Sequence, residues 1–141
     1  MSPCIFCQIL AGELPASLVY QDEDVIAFLD IRPVNPGHVL VVPRVHGESL
    51  GDLSAETVAH MMVVAQNIMA GLRNADLKCE GINLFLADGS VAGQEIGHVH
   101  LHVIPRFAND GFGLRFAADY GKLPKREVLD ELAAAIRKAV S

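Results

Sequence analysis

Three histidines alternate with three aliphatic residues between Gly97 and Pro105. Side chains on a strand point to opposite faces with a period of two, so His98, His100 and His102 lie on one side, about 7 Å apart. The aliphatic residues between them lie on the other side, where they can seal a core. A neutral imidazole can act as a nucleophile toward phosphorus, or as a general base, when a neighbour fixes its tautomer. The pattern therefore predicts a strand that presents a row of reactive rings.

Two other interpretations of this histidine row stay open at this point. Histidines can simply occupy a solvated sheet face, although three in strict register with three aliphatic residues make chance unattractive. Two histidines at positions i and i+2 of a strand can also chelate one metal, so a three-histidine zinc site is the second alternative. Spacing alone does not choose between metal binding and phosphate chemistry.

The loop before the histidines has the composition that an anion site needs. Gly89 and Gly93 let the backbone approach a phosphate closely, and Gln94 adds an uncharged donor. A plain hairpin connection is the more common explanation for such glycines. The loop therefore supports phosphate chemistry only in combination with the histidines.

A second group of reactive residues is Cys4-x-x-Cys7, which contains two of the four ligands that a structural zinc needs. The other two ligands must come from elsewhere in the chain. A thioredoxin-like redox site would place this motif after a strand, and no strand is predicted before residue 4. Two unrelated thiols are the remaining alternative.

The elements that must position these residues follow from hydrophobic periodicity. Ser54 is a good N-cap, and apolar residues at three- and four-residue spacing behind it predict a helix over about 55–73. A short helical turn is predicted at 6–11, closed by Gly12, and a last helix at 125–139. Extended segments are predicted at 17–20, 25–30, 38–42, 82–87 and 98–104. Runs of strands with helices between them predict an α+β fold with a largely antiparallel sheet.

Length and composition exclude several classes of protein. The 141 residues suffice for one domain with a single core. Seventeen acidic against eleven basic side chains give a net charge of −6 without a basic cluster, so nucleic acid is not expected as a partner. The most apolar stretch, 61–65, is far shorter than the roughly 18 residues of a membrane span. The N-terminus lacks the features of a secretory signal, which predicts a cytoplasmic protein with reduced cysteines.

Five short segments occur along the chain in an informative order. They are Ile5-Phe6, Phe28-Leu29-Asp30-Ile31, Asn35-Pro36-Gly37-His38, Ala92-Gly93-Gln94 and His98-Val99-His100-Leu101-His102-Val103. In this order they resemble the signature of the histidine triad (HIT) family of nucleotide hydrolases and transferases. The resemblance covers about residues 3–106, and residues 107–141 resemble the bacterial branch more loosely. It implies a single HIT domain over 1–141, with about five mainly antiparallel strands, one long helix, and short N-terminal and C-terminal helices.

The resemblance also implies a reaction at the α-phosphate of a purine nucleotide such as an adenosine phosphoramidate. His100 would be the nucleophile and would form a nucleotidyl-histidine intermediate. Its second ring nitrogen would be held by the backbone carbonyl of His98. His102 and His38 would contact the phosphate and stabilise charge on its oxygens. Gln94 would bind the phosphate or the leaving group.

The remainder of the nucleotide is assigned by the same resemblance. Asp30 would bind the ribose hydroxyls, and Gly93 would lie beside the phosphate. An apolar slot for the base would be lined by Ile5, Phe6, Phe28 and Ile31. From spacing alone these four are more often ordinary core, and an acidic residue at a strand end is equally often a turn acceptor.

In the bacterial branch of the family, two histidines often complete the zinc site that a CxxC motif begins. Here these would be His46 and His98. The resemblance therefore implies one structural zinc held by Cys4, Cys7, His46 and His98.

The chain departs from the family at two positions. Many members have Asn or Gln at the position of Ala87, and Ser or Thr at the position of Glu95. These changes remove one side-chain contact near the phosphate and leave the leaving-group preference open. The alternatives to the proposed hydrolase or transferase are a dinucleoside polyphosphate hydrolase or phosphorylase and a nucleotide-binding regulatory module. Intact His38, His100 and His102 favour an enzyme.

The resemblance further implies a homodimer. Val63 and Val64 widen the apolar arc of the long helix beyond one stripe, which indicates a second covered face. We expect this face and a free sheet edge to form the contact between two copies.

Overall fold

The computed structural model describes residues 3–140, so Met1, Ser2 and Ser141, at the ends of the predicted domain 1–141, lie outside the described residues. The elements in chain order are α1 (Ile5–Leu10), β1 (Leu18–Gln21), β2 (Val25–Leu29), β3 (Val39–Pro43), α2 (Ala55–Asn74), β4 (Gly81–Phe85), β5 (Leu101–Arg106) and α3 (Arg126–Ala139). The strands form one sheet of order β1-β2-β3-β5-β4, in which every neighbouring pair is antiparallel. The predicted α+β fold with a five-stranded sheet and one long helix is confirmed.

A tight turn at 35–37 joins β2 to β3 and places His38. Gly37 has a φ of +91°, which L side chains rarely adopt, and a Cβ there would lie 2.9 Å from Cδ1 of Leu77. The N–H of His38 donates to the carbonyl of Asn35 at 3.1 Å. Nδ2 of Asn35 donates to the carbonyl of Pro105 at 2.9 Å, which ties the turn to β5. His38 is therefore held at the end of the sheet where β2 ends and β3 begins.

Helix α2 covers one face of the sheet. Ser54 caps it by accepting from the N–H of Thr57 at 3.1 Å, as the sequence predicts. The buried residues of the helix recur at three- and four-residue spacing and belong to the larger core cluster; they are Met61, Val64, Ala65, Ile68 and Leu72. The expectation that Val64 belongs to a second, outward flank is wrong, because it lies on this buried stripe. The outward flank consists of Met62 and Val63, which are half-exposed.

The opposite face of the sheet carries a smaller cluster under α1. Phe6 of α1 packs edge-on against Phe28 of β2, with ring centroids 5.6 Å apart. The other buried members are Ile26, Leu40 and Val42. In the register of β3 and β5, Leu40 is the partner of His102, so His102 lies on this face as well.

Strand β5 begins at Leu101, three residues later than the predicted strand 98–104. The ladder between β3 and β5 ends at Val41 and Leu101. Beyond it, Pro43 has no N–H to donate, and its carbonyl accepts from Nε2 of the His98 side chain at 2.8 Å. The N–H of Val99 donates to the carbonyl of Gly47 at 2.8 Å. The predicted alternation nevertheless continues through this segment. Its aliphatic residues Val99, Leu101 and Val103 all lie in the core beneath α2.

Residues 112–140 form a separate compact unit. The rings of Phe116 and Tyr120 stack with centroids 3.8 Å apart. Helix α3 has an apolar stripe, and every described residue of this unit is exposed. The large residues of the stripe are Val128, Leu129, Leu132 and Ile136. Within residues 3–140, none of the helices is long and apolar enough to cross a bilayer.

Candidate active site and metal centre

His100 lies just before β5, and its ring is buried. Nδ1 of His100 is 2.7 Å from the backbone carbonyl of His98, the contact expected from the resemblance. A carbonyl can only accept, so Nδ1 carries the proton of the neutral ring and Nε2 has the lone pair. No hydrogen bond to this Nε2 comes from any residue in the part of the chain that the structure describes. A ring fixed in this tautomer meets the first requirement for nucleophilic attack at phosphorus.

His38 and His102 are ordered by a chain of hydrogen bonds that begins at a backbone N–H. The N–H of Val34 donates to Nδ1 of His38 at 3.0 Å, so the proton of the neutral His38 ring is on Nε2. That Nε2 donates to Nδ1 of His102 at 2.8 Å, which leaves the His102 proton on its own Nε2. The ring centroids of His100 and His102 are 4.9 Å apart. The structure therefore places a ring with a lone pair beside a ring with an N–H donor.

The rings of His38 and His102 are neutral at pH 7. Burial, followed by repulsion from His100 and His38, lowers the pKa of His102 to about 4, against an opposite effect of Asp30. Burial also lowers the pKa of His38. Attraction to Asp30 opposes this shift, and repulsion from His100 adds to it. A protonated ring has no acceptor nitrogen. The depressed pKa values therefore agree with the tautomers deduced from the hydrogen bonds.

Asp30 follows the end of β2 and lies beside His38. Its Oδ1 accepts from the N–H of Arg32 at 2.9 Å, the turn role considered as an alternative in the sequence analysis. Its Oδ2 is 3.7 Å from Nε2 of His38, and 21% of the side chain is exposed. The structure thus brings the partly exposed side chain of Asp30 to the histidines.

The structure buries two of the four residues expected around the base and exposes the other two. Phe6 and Phe28 are buried under α1, whereas Ile5 is 47% and Ile31 93% exposed. The edge of the Phe6 ring packs against His100 with centroids 5.0 Å apart. Phe6 therefore contacts the ring of His100, while the two isoleucines present apolar surface to solvent.

The side chain of Gln94 is engaged within its own loop. Its Oε1 accepts from the N–H of Gly89 at 2.8 Å, and its Nε2 donates to the carbonyls of Glu48 at 2.7 Å and Ile96 at 3.0 Å. Gly93 follows the 3-10 turn Ser90–Ala92 and adopts the left-handed conformation, with a φ of +95°. The structure does not bring Gln94 into hydrogen-bond contact with the histidines. In this arrangement Gln94 shapes the loop.

Phe85, which the sequence analysis did not single out, contacts the histidines. It is the last residue of β4 and the register partner of His102, and their ring centroids are 5.6 Å apart. Strand register is the signal that could have identified it, because cross-strand partners share a face. The two positions at which the chain departs from the family differ in exposure: Ala87 is buried and Glu95 is exposed.

A separate cluster forms where α1, the loop after β3 and His98 meet. Nδ1 of His98 is 3.4 Å from Sγ of Cys4 and 3.7 Å from Sγ of Cys7. Nδ1 of His46 is 3.4 Å from Sγ of Cys7 and 3.2 Å from Nδ1 of His98. All four ligand atoms lie within 4.8 Å of one another. The four residues that the resemblance assigns to a metal are therefore neighbours in the structure.

These distances match the edges of a zinc tetrahedron. Zn–S bonds of about 2.3 Å and Zn–N bonds of about 2.0–2.1 Å imply edges of about 3.5 Å from sulfur to nitrogen and about 3.4 Å between nitrogens. Nε2 of His98 donates to the carbonyl of Pro43, so the Nδ1 lone pair points into the cluster. The donor set and its geometry are compatible with zinc. Four protein ligands would leave no open position for a substrate.

The chain matches one family model and is similar to several known proteins. The family model described as the HIT domain matches residues 11–109. A crystal structure of a member of the HIT family from Bacillus subtilis is 35% identical, with a TM-score of 0.90 over 99% of each chain. That of a zinc-bound histidine triad family protein from Mycobacterium smegmatis is 41% identical, with a TM-score of 0.75 over 94% of this chain and 96% of that one. An adenosine 5′-monophosphoramidase from Saccharomyces cerevisiae is 35% identical over 103 residues, 73% of this chain and 62% of the yeast protein.

Proposed function

Because the chain belongs to the histidine triad (HIT) family, we propose that it is a nucleotide hydrolase or nucleotidyl transferase that cleaves at the α-phosphate of a purine nucleotide. One observation carries this proposal: Nε2 of His100 holds a lone pair beside a ring, His102, that presents an N–H donor. The activity of the yeast relative supports an adenosine phosphoramidate as the type of substrate.

In the proposed first step, Nε2 of His100 attacks the α-phosphorus. The bond from phosphorus to the leaving amine breaks, and the amine takes a proton from water as it leaves. The N–H of His102 donates to a phosphate oxygen, and because His38 already fixes this donor, it need not reorient as charge develops. Water then attacks phosphorus and gives its proton to the hydroxide left by the first step. This releases the nucleoside monophosphate and returns the lone pair to His100. In this geometry His38 acts through His102.

The rest of the nucleotide would extend from the histidines toward β2. The carboxylate of Asp30, whose side chain is partly exposed, would accept from a ribose hydroxyl. Ile5 and Ile31 present exposed apolar surface that a base could cover, whereas Phe6 and Phe28 are buried. These contacts support a nucleotide as the substrate.

We propose that Cys4, Cys7, His46 and His98 hold one structural zinc. The tetrahedral distances support this, as does the zinc-bound relative from Mycobacterium smegmatis. The metal would join α1, the loop after β3 and the segment before β5, and it would take no part in the reaction. Thiols kept reduced for a metal also favour a cytoplasmic location.

We also propose a homodimer in which a second copy covers the outward flank of α2 and the edge of β4. Met62 and Val63 are half-exposed apolar residues on that flank. Strand β4 has a strand neighbour on one side only, so its other side is an edge. A two-fold pairing would satisfy both copies of the edge at once.

A turnover panel tests the reaction. Adenosine 5′-phosphoramidate, diadenosine polyphosphates and nucleotide sugars would be scored for release of nucleoside monophosphate by the wild type and by His60→Ala, a control histidine on α2. We expect adenosine 5′-phosphoramidate to be the best substrate of both proteins. Preference for a diadenosine polyphosphate would favour the polyphosphate hydrolase or phosphorylase. Nucleotide binding without turnover of any compound would favour a regulatory module.

A further inference from the structure

We propose that Phe85 is a specificity-determining residue that selects a leaving group with an apolar, preferably aromatic, face. The inference rests on the proposed function, because it concerns the group that His100 displaces. It names a substrate class within that function: nucleoside phosphoramidates whose amine carries an aryl or arylalkyl substituent.

Strand order lays the proposed substrate contacts in one line across the sheet. Asp30 follows the end of β2, His38 precedes the start of β3, His102 is near the start of β5 and Phe85 ends β4. Strands β2, β3, β5 and β4 are successive neighbours. Three strand spacings separate Asp30 from Phe85, about 14 Å. With the ribose at Asp30 and the phosphate at His102, a substrate that continues along this line places its leaving group at Phe85.

Phe85 lies on the side of His102 that the leaving group would reach. The two residues are register partners, and their rings meet edge-on at an angle of 62°. The His102 ring thus contacts His100 as well as Phe85. Within one copy of the chain, Phe85 remains 42% exposed, so its own chain does not cover it fully.

The surroundings of Phe85 do not favour a polyanionic leaving group. The guanidinium of Arg106, at the far end of β5, is engaged by the carboxylate of Asp110. Ala87, two residues after Phe85, is small, apolar and buried, and the carboxylate of Asp88 is engaged by Ser49 and Leu50. A polyphosphate would bring several negative charges against the apolar ring of Phe85, where removing them from water is costly. An uncharged amine with an apolar substituent avoids that penalty and can pack on the ring.

Two adenosine 5′-phosphoramidates that differ only in the substituent on nitrogen, 2-phenylethyl or ethyl, provide the test. We expect the wild type to prefer the phenylethyl compound in kcat/KM by roughly two- to twelvefold, the range that an aromatic contact supports. Phe85→Ala should bring the ratio close to one, and Phe85→Tyr should restore it. Leu84→Ala, a truncation on the same strand but the opposite face, should keep the wild-type ratio. A wild-type ratio that Phe85→Ala leaves unchanged would overturn the proposal.

Binding separates this inference from the proposed reaction. Calorimetry would give the Kd of both compounds for His100→Ala, with Phe85 intact and with Phe85→Ala added. If the wild type turns over neither compound, the proposed reaction is wrong. A Kd ratio that favours phenylethyl and disappears with Phe85→Ala would then still support the subsite. Equal Kd values with Phe85 intact would overturn it.

Discussion

Nε2 of His38 donates to Nδ1 of His102 across 2.8 Å, and the direction of this hydrogen bond is set by the backbone N–H of Val34. His38 therefore has no second proton to offer a phosphate while its ring is neutral. Its contribution to the proposed reaction passes through the His102 ring. This relationship distinguishes a positioning residue from one that contacts the substrate directly.

The first prediction concerns this pair. His38→Ala and His102→Ala should each lower kcat, and the double variant should lose little more than the worse single variant, within about threefold. The reason is that His38 acts only by fixing the tautomer of His102, so the coupling should reach about 1–3 kcal/mol. Single-turnover rates of the four proteins measure it. Effects that simply multiply would show that the two histidines act independently.

The second prediction concerns the intermediate. Rapid acid quenching of wild type with substrate labelled in the α-phosphate should trap label on the protein, and His100→Ala should trap none and lose more than about a thousandfold in turnover. His60→Ala should behave as wild type. A His100→Ala variant within about tenfold of wild type, equal to about 1.4 kcal/mol of barrier, would exclude His100 as the nucleophile.

The third prediction concerns the metal. Protein purified without added zinc should contain about one zinc per chain. Cys7→Ser and His46→Ala should lower both the zinc content and the thermal midpoint, because each removes one of four ligands. Cys79→Ser, which changes the cysteine outside the cluster, should leave the zinc content unchanged. Metal analysis and thermal unfolding give the answer, and a wild-type protein free of metal even after zinc refolding would contradict the assignment.

The fourth prediction concerns pH and stability. The pKa of His102 is about 4 in the folded chain against an ordinary value of 6.5. Between these values the unfolded chain binds the proton and the folded chain does not, so the free energy of unfolding should fall as pH falls from 6.5 toward 4. His102→Gln should flatten this slope. Urea unfolding of both proteins across the window measures the difference, and parallel curves would refute the assignment.

The fifth prediction concerns assembly. Light scattering at micromolar concentration should give the mass of a dimer. Val63→Lys should give a monomer, because it places a charge in the proposed contact. Val91→Lys, which changes a fully exposed loop residue, should leave the dimer intact. A wild-type monomer, or a dimer that tolerates Val63→Lys, would show that this flank is not the interface.

Local patterns in the sequence predicted the parts of the fold that depend on periodicity. The alternation over 98–103 placed Val99 and its aliphatic neighbours in the core, and Ser54 marked the start of α2. The start of β5 could not be predicted in this way. Before β5 begins, the carbonyl of Pro43 accepts from the side chain of His98, a contact between residues far apart in the chain.

The sequence indicated which residues belong to the site, but it did not indicate which of their side chains contact one another. The engagement of Gln94 with Gly89 and Glu48 depends on the path of a loop that contains two glycines with positive φ, Gly89 and Gly93. The contact between Phe85 and His102 depends on a register that the predicted strand 82–87 did not define. Such contacts join segments distant in the chain, and no local periodicity encodes them.

The alternation of histidine and aliphatic residues before and within β5 also limits how this segment can change. Replacing Val99 or Leu101 by another aliphatic residue of similar size would keep both faces of the strand. Adding or deleting one residue between His98 and His102 would exchange the faces, sending imidazoles under α2 and aliphatic side chains into the cleft. The segment therefore tolerates conservative substitutions but no change in length, so a single-codon insertion here would be more damaging than several substitutions.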